Sequence, residues 1–259
     1  MRQFTHGSLF SGIGGFDLGF ERAGFKTVWQ VEIDPFCRKV LANHFPNTRR
    51  YEDITKILPF ELPRVDVITG GFPCQDVSHA GRRIGIDGAR SGLWREMRRT
   101  IRNLRPSFVV VENVSGLLDR GIQRVLGEMA EDGFDAEWTV LSACFAGAPH
   151  TRERVFIVAY PQGERQGQLR GIECPQSRAI TRYLHWPQYE PPSERVVNGV
   201  PERLERLTAL GNAVVPQIAE WIADRIKAVL EAEEVNIASA GQGSRGTGPA
   251  PAEKAQDAL

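Results

Sequence analysis

The strongest constraint on this chain is a repeated alternation. Short apolar runs at Thr5–Phe10, Thr27–Glu32, Val65–Gly70, Ser107–Val114 and Val155–Tyr160 read as strands, with stretches of helical periodicity between them. Two of the runs, FVVVENV and RVFIVAY, are almost continuously apolar. A strand with one wet face would alternate polar and apolar residues, so a continuous run means that both faces are covered. The helical stretches carry their own punctuation. Pro35–His44 has Asp34 to cap it and proline at its first position, Leu93–Leu104 stops before Pro106, and Gly121–Glu131 is followed by Gly133. Strands and helices in this order predict a doubly wound α/β domain with a mostly parallel sheet.

The alternation fails after Tyr160. Residues 161–201 are polar, rich in Gly and Pro, and weakly periodic. Helical order returns at Glu202–Leu210 and from Pro216 to about Ala232. From Glu233 the residues are small and polar, a composition that predicts a disordered tail over 233–259. No run reaches the ~18 apolar residues of a membrane span, and MRQFTHGSLF lacks the layout of a secretory signal, so a cytoplasmic protein is expected. Cys37, Cys74, Cys144 and Cys174 are scattered without metal-ligand spacing, so neither a metal site nor a disulfide framework is expected. Cys37 and Cys144 read as small buried hydrophobes. The net charge of zero argues neither for nor against nucleic acid, but 27 arginines stand against 5 lysines, and guanidinium suits phosphate and carboxylate partners. Eight arginines fall between Arg82 and Arg105, directly after the loop that holds Cys74, which points to a polyanion near that thiol.

In an open parallel sheet, ligands sit beyond the carboxyl ends of the strands. Several stretches bring chemistry to that edge. SLFSGIGGFDLGF places Gly12, Gly14 and Gly15 between the first strand and a helix, where a ligand can approach the backbone closely. A dinucleotide fingerprint would need glycine at position 17, which is Asp17, so a nucleoside-containing cofactor is expected without the pyrophosphate motif. Glu32 ends the second strand, where such folds put an acid on ribose hydroxyls. GGFPCQDVSHAG holds the unpaired Cys74 after the strand VDVITGG. VVVENVSG delivers Glu112 and Asn113, and a carboxylate there needs a partner to offset its desolvation. HTRERVFIV sets Arg152 and Arg154 at alternate positions, so both project to one side.

Together these stretches resemble the cytosine-C5 DNA methyltransferase family. LFSGIGGF is similar to its cofactor motif, GFPCQDVS to its Pro-Cys-Gln motif, ENV to its acid motif, RERVFIV to its Arg-x-Arg motif, and ALGNAVVPQIA to its closing Gly-Asn-x-Val motif. YEDI and ARSGL fit two weaker cofactor-side motifs. The order is the family's own, and the match spans about 1–160 and 207–225.

The resemblance implies a Rossmann-like class I methyltransferase fold that uses S-adenosylmethionine to methylate C5 of a cytosine flipped out of duplex DNA. Cys74 would be the nucleophile that adds to C6, with Glu112, Arg152 and Arg154 beside the base. Phe10, Ser11, Gly12, Gly14, Gly15, Glu32, Ile33, Asp53, Ile54, Pro73, Leu93, Asn212 and Ala213 would surround the cofactor. Gln75, Ser78, Arg82 and Arg83 would touch DNA. The implied catalytic domain is discontinuous, 1–160 plus 207–232, with a small recognition segment over 161–206. That segment is short, which implies few base contacts and an affinity drawn mostly from phosphates. A monomer is implied, in a bacterial cytosol or a phage-infected host, with a cognate restriction endonuclease acting separately. A cytosine-C5 methyltransferase of RNA, which would share the fold and differ only in the recognition segment, remains open, as does a non-catalytic DNA-binding relic. The chain departs from the family at Ser8, where an acid is usual, at His150 and Ala213, and in lacking an identifiable Pro-Arg-Glu motif.

Overall fold

A computed structural model describes residues 2–73, 92–148, 150–163 and 202–243. Seven strands form one sheet: β1 (Thr5–Leu9), β2 (Lys26–Val31), β3 (Arg49–Tyr51), β4 (Val67–Gly70), β5 (Phe108–Val114), β6 (Phe134–Ser142) and β7 (Glu153–Pro161). Their spatial order is β3-β2-β1-β4-β5-β7-β6. β1 to β5 pair in parallel, and only β7 runs antiparallel to its neighbours β5 and β6. The fold is therefore the doubly wound, mostly parallel α/β class that the alternation predicts.

Among the described residues seven α-helices accompany the sheet: α1 (Gly15–Arg22), α2 (Pro35–His44), α3 (Leu93–Leu104), α4 (Leu117–Arg120), α5 (Ile122–Glu131), α6 (Arg203–Asn212) and α7 (Pro216–Gly243). Asp34 caps α2 as expected, its carboxylate accepting from the Cys37 N–H at 2.8 Å.

The sheet separates two apolar clusters, and β5 shows why its sequence is continuously apolar. Val109 and Val111 join one cluster, with Trp94, Met97 and Ile101 of α3 and Val125 and Met129 of α5. Phe108 and Val110 join the other, with Phe16 and Phe20 of α1 and Ile218, Trp221, Ile222 and Ile226 of α7. The period-two pleat sends alternate residues to opposite sides, and both sides are covered. α1 and α7 cross closely. A Cβ on Gly19 would lie 2.5 Å from the Ala219 Cβ and 2.6 Å from the Pro216 carbonyl oxygen.

Four elements differ from the sequence expectation, the one-turn α4 among them. β3 and β6 were not anticipated. β3 has only three residues, and β6 carries Asp135 and Glu137 because it is an edge strand with a partly wet surface. α7 does not stop near Ala232 but runs to Gly243, so a helix replaces the first part of the expected disordered tail. The physical reason is local. Residues 231–240 contain no Gly or Pro and are rich in Ala and Glu, which favour helix even where Val235 and Ile237 are exposed. Residues 244–259 lie outside the described part. No described helix is long and apolar enough to cross a membrane.

Candidate active site

The glycine loop after β1 turns on residues in the left-handed region: Phe10 (φ 53°), Gly12 (φ 55°) and Gly14 (φ 89°). A phenylalanine in that region is uncommon and costs free energy. The glycines have separate roles. Gly14 leads into α1, and a Cβ there would sit 2.7 Å from the Phe45 ring. A Cβ on Gly15 would lie 2.3 Å from the Val214 carbonyl oxygen, so Gly15 lets the chain from 213 to 215 dock on α1. Beside Gly12 there is no atom within 4 Å of a Cβ, so this glycine alone faces open space.

Glu32 stands opposite, just past the end of β2. Its carboxylate accepts from the Gly12 N–H at 2.6 Å and from the Asp34 N–H at 2.8 Å. Burial raises its pKa, and those two backbone donors oppose the rise. The neighbouring Ile33 is 67% exposed. Ser11 is buried, its N–H donating to the Val31 carbonyl at 3.1 Å and its hydroxyl to the Ser8 carbonyl at 3.1 Å. Ala213 follows the last residue of α6, exposed Asn212, and Val214 brings this segment against Gly15.

A second constellation forms where β4 and β5 end and the antiparallel β7 begins. Glu112 is buried, and Arg154 Nε lies 2.9 Å from its Oε1. The two side chains form a buried ion pair. Burial pushes the Glu112 carboxyl up, and the charges of Arg154 and then Arg152 pull it back. Arg152 donates to the Gly211 carbonyl, which ties the start of β7 to the end of α6.

The root of the loop that leads to Cys74 is fastened to this constellation. A Cβ on Gly71 would lie 2.8 Å from Glu112 Oε2, so only glycine leaves room for the carboxylate. Asn113 is buried, donates to the Phe72 carbonyl at 3.1 Å and accepts from the Val114 N–H at 2.9 Å. The Phe72 ring packs on Trp94, 5.4 Å between centroids. Pro73 and Leu93 are partly buried at the two ends of the intervening stretch. Cys74, Gln75, Ser78, Arg82 and Arg83 themselves lie outside the described residues.

This geometry, an open glycine turn facing a fixed acid and a buried Glu–Arg pair beside the Pro-Cys loop root, invites comparison with known proteins. Residues 4–199 match the family model of the C-5 cytosine-specific DNA methylases. The chain belongs to that family. It is 40% identical over 161 residues to the type II methyltransferase M2.BsuMI of Bacillus subtilis (strain 168), covering 59% of this chain and 41% of that one. It is 33% identical over 244 residues to the type II methyltransferase M.AquIA of Picosynechococcus sp. (strain ATCC 27264 / PCC 7002 / PR-6), covering 85% of this chain and 96% of that one. In fold it resembles the Spodoptera frugiperda DNMT2 E260A/E261A/K263A mutant, with a TM-score of 0.53 at 21% identity over 62% of this chain and 51% of the other. The chain spans less than half the length of M2.BsuMI (41%) and of M.FnuDI from Fusobacterium nucleatum (46%).

The structure also bears on several sequence readings. Within the described part of the arginine run, Arg98, Arg99 and Arg105 are engaged by the protein's own groups; Arg82, Arg83 and Arg90 lie outside the described residues. On α3, Arg98 is held by Asp132 (2.6 Å), Glu131 (2.9 Å) and Glu128 (3.4 Å), and Arg99 pairs with Glu96 at 2.8 Å. Arg105 donates to the Asp132 carbonyl at 2.5 Å. Arg98 and Arg105 tie α3 to the end of α5, whereas Arg99 pairs with Glu96 within α3 itself. Asp53, expected at the adenine, already accepts from the Thr55 hydroxyl at 2.7 Å and its N–H at 3.0 Å, which lowers its pKa. Ile54 beside it is buried. Of the two cysteines expected in the core, Cys37 is buried with its thiol pushed up to about 12 by desolvation, whereas Cys144 is exposed and donates to the Ser142 hydroxyl at 3.0 Å. Cys144 sits in the short segment Ala143–Ala146 between β6 and β7, where Ala143 and Ala146 take the buried positions instead. The expected boundary between positions 206 and 207 falls inside α6. Gly71 was absent from the candidate site, and Asn113 was noted beside Glu112 without a role of its own. The polar Asn113 within an apolar strand was their available signal.

Proposed function

We propose that the chain is a DNA (cytosine-5-)-methyltransferase that uses S-adenosylmethionine. The observation that carries this reading is the buried Glu112–Arg154 pair, packed against Gly71 at the root of the loop that bears Cys74. The relatives' designation as type II methyltransferases supports it.

The residues around Gly12 suit a nucleoside cofactor. Gly12 borders open space, Glu32 has both carboxylate oxygens fixed at the strand end, and Ile33 offers an exposed apolar side chain beside them. Glu32 would take ribose hydroxyls, with Phe10, Ser11, Pro73, Leu93, Asn212 and Ala213 completing the pocket. S-adenosylmethionine, when bound there, supplies the electrophilic methyl group that an activated C5 takes up.

The chain's own residues perform the activation. The Cys74 thiolate adds to C6 of the flipped cytosine, and the displaced π electrons become available at C5. Glu112, whose pKa burial has raised, holds or delivers a proton at N3 as charge develops there. Arg154 keeps Glu112 oriented, and Arg152 stabilises the extra-helical nucleotide. After C5 loses its proton to solvent, the C6–S bond breaks and the thiolate returns. Arg82, Arg83, Gln75 and Ser78 would hold the DNA. A monomer acting beside a separate restriction endonuclease is the corresponding arrangement.

Incubation with tritiated S-adenosylmethionine and either duplex DNA or tRNA tests the reading. Label should enter DNA; label confined to tRNA, or none in either, overturns it. Cys74→Ser should abolish turnover while cofactor binding persists, and Glu112→Gln should lower kcat by about 10²–10⁴-fold.

A further inference from the structure

Ser8 stands where an acid is usual, and Asp17 occupies the place where a dinucleotide fingerprint needs glycine. In the fold these two departures are one contact. Ser8 Oγ donates to Asp17 Oδ2 at 3.1 Å, and Gln30 Nε2 donates to Asp17 Oδ1 at 2.9 Å. All three residues are fully buried. Ser8 and Gln30 are register partners across β1 and β2, so Asp17, in the first turn of α1, bridges a directly paired couple.

Each strand of that couple continues into the cofactor edge. The Ser8 carbonyl accepts the Ser11 hydroxyl, and the Ser11 N–H donates to Val31. Gln30 precedes Glu32 by two residues, and Glu32 accepts the Gly12 N–H. A buried carboxylate with two neutral side-chain donors and, among the described residues, no cation acting on it is a costly way to fill a core. Desolvation shows in its pKa, pushed up to about 6. An apolar side chain would fill the space, but it could not accept from two strands at once.

We propose that Asp17 is a positioning residue for the cofactor: by clamping Ser8 to Gln30 it sets the separation between the Ser11–Gly12 turn and the Glu32 carboxylate. The inference rests on the S-adenosylmethionine reading above. Asp17 itself touches no ligand and acts through the two strand ends.

The full chain should be compared with Asp17→Ala, Asp17→Asn, Ser8→Asp and the exchange Ser8→Asp/Asp17→Ser. Titration calorimetry gives the Kd for S-adenosylmethionine, a separate titration gives the Kd for duplex DNA, and thermal melting shows which variants are folded at the titration temperature. Asn can accept from Gln30 and donate to the Ser8 hydroxyl, so its cofactor Kd should stay within about twofold of wild type. Ala removes both contacts and should weaken cofactor binding about tenfold, with DNA affinity unchanged. Ser8→Asp alone opposes two carboxylates and should bind cofactor weakest. The exchange restores one acid and one hydroxyl and should recover affinity. Equal cofactor affinity in folded Asp17→Ala, or a loss of melting temperature alone, overturns the positioning role while the cofactor reading stands. Failure of the wild-type chain to bind S-adenosylmethionine overturns both.

Discussion

The two faces of the sheet are built from different materials. Toward α3 and α5 the strands present an apolar layer of Leu9, Trp29, Ile68, Val109, Val111 and Ile157. Toward α1 and α7 the layer includes buried polar groups. His6 lies between Thr69 (2.8 Å) and Thr27 (3.2 Å), Asp17 holds Ser8 and Gln30, and Glu112 meets Arg154. The apolar face is a packing problem solved by shape. The polar face can be built only with each group's partner in place, because an unmatched buried charge is strongly destabilising. It is also the face that the last helix returns to cover, so chain ends far apart in sequence close one surface.

The largest expected effect breaks this comparison with one kind of substitution made on both faces. Gly19→Ala drives a methyl group into the Pro216 carbonyl and Ala219 and should cost about 3 kcal/mol, the upper end of overpacking. Gly127→Ala, on α5, meets no atom within 4 Å and should gain about 0.5–1 kcal/mol from helix propensity. Denaturant melts of the two variants should move in opposite directions.

A pH series sharpens the same contrast. Burial pushes the Asp17 carboxyl from 3.8 up to about 6. Its folded pKa lies above its unfolded value, so its contribution is fully present below pH 3.8 and is lost as pH rises through about 6. Asp17→Asn should therefore gain on wild type by about 2–3 kcal/mol between pH 4 and pH 8. A difference that does not change with pH contradicts the raised carboxyl. His6 acts in the opposite sense. Desolvation lowers it from 6.5 to about 3, so its contribution is present above pH 6.5 and is lost as pH falls.

The smallest effect concerns the end of α7. Val235 and Ile237 are exposed, and the Arg2–Glu234 pair is on the surface. Deleting residues 235–259 should change stability by less than about 1 kcal/mol, measured by thermal melting.

Much of the fold was legible because burial on both faces and capping residues leave local marks. The alternation marked five strands, and Asp34–Pro35 marked the start of α2 at the right residue. β6 was hidden because an edge strand mixes polar and apolar residues, and the last part of α7 because composition alone cannot distinguish an exposed helix from coil. In the site, Glu112, Arg152 and Arg154 stood out as polar residues at the rim of apolar strands. The partners of Arg98 were not legible, because a run of charge records nothing about Glu131 and Asp132 at the end of α5.

Residue order alone determined the α/β class, the strands that end in chemistry, and the family. Those properties depend on periodicity and on short contiguous motifs. Tertiary structure decided which glycine faces open space, which acid Arg154 meets, and that Ser8 and Asp17 are partners. Each of those facts depends on where a strand and a distant helix happen to touch, and the pleat and the crossing of α1 with α7 set that distance.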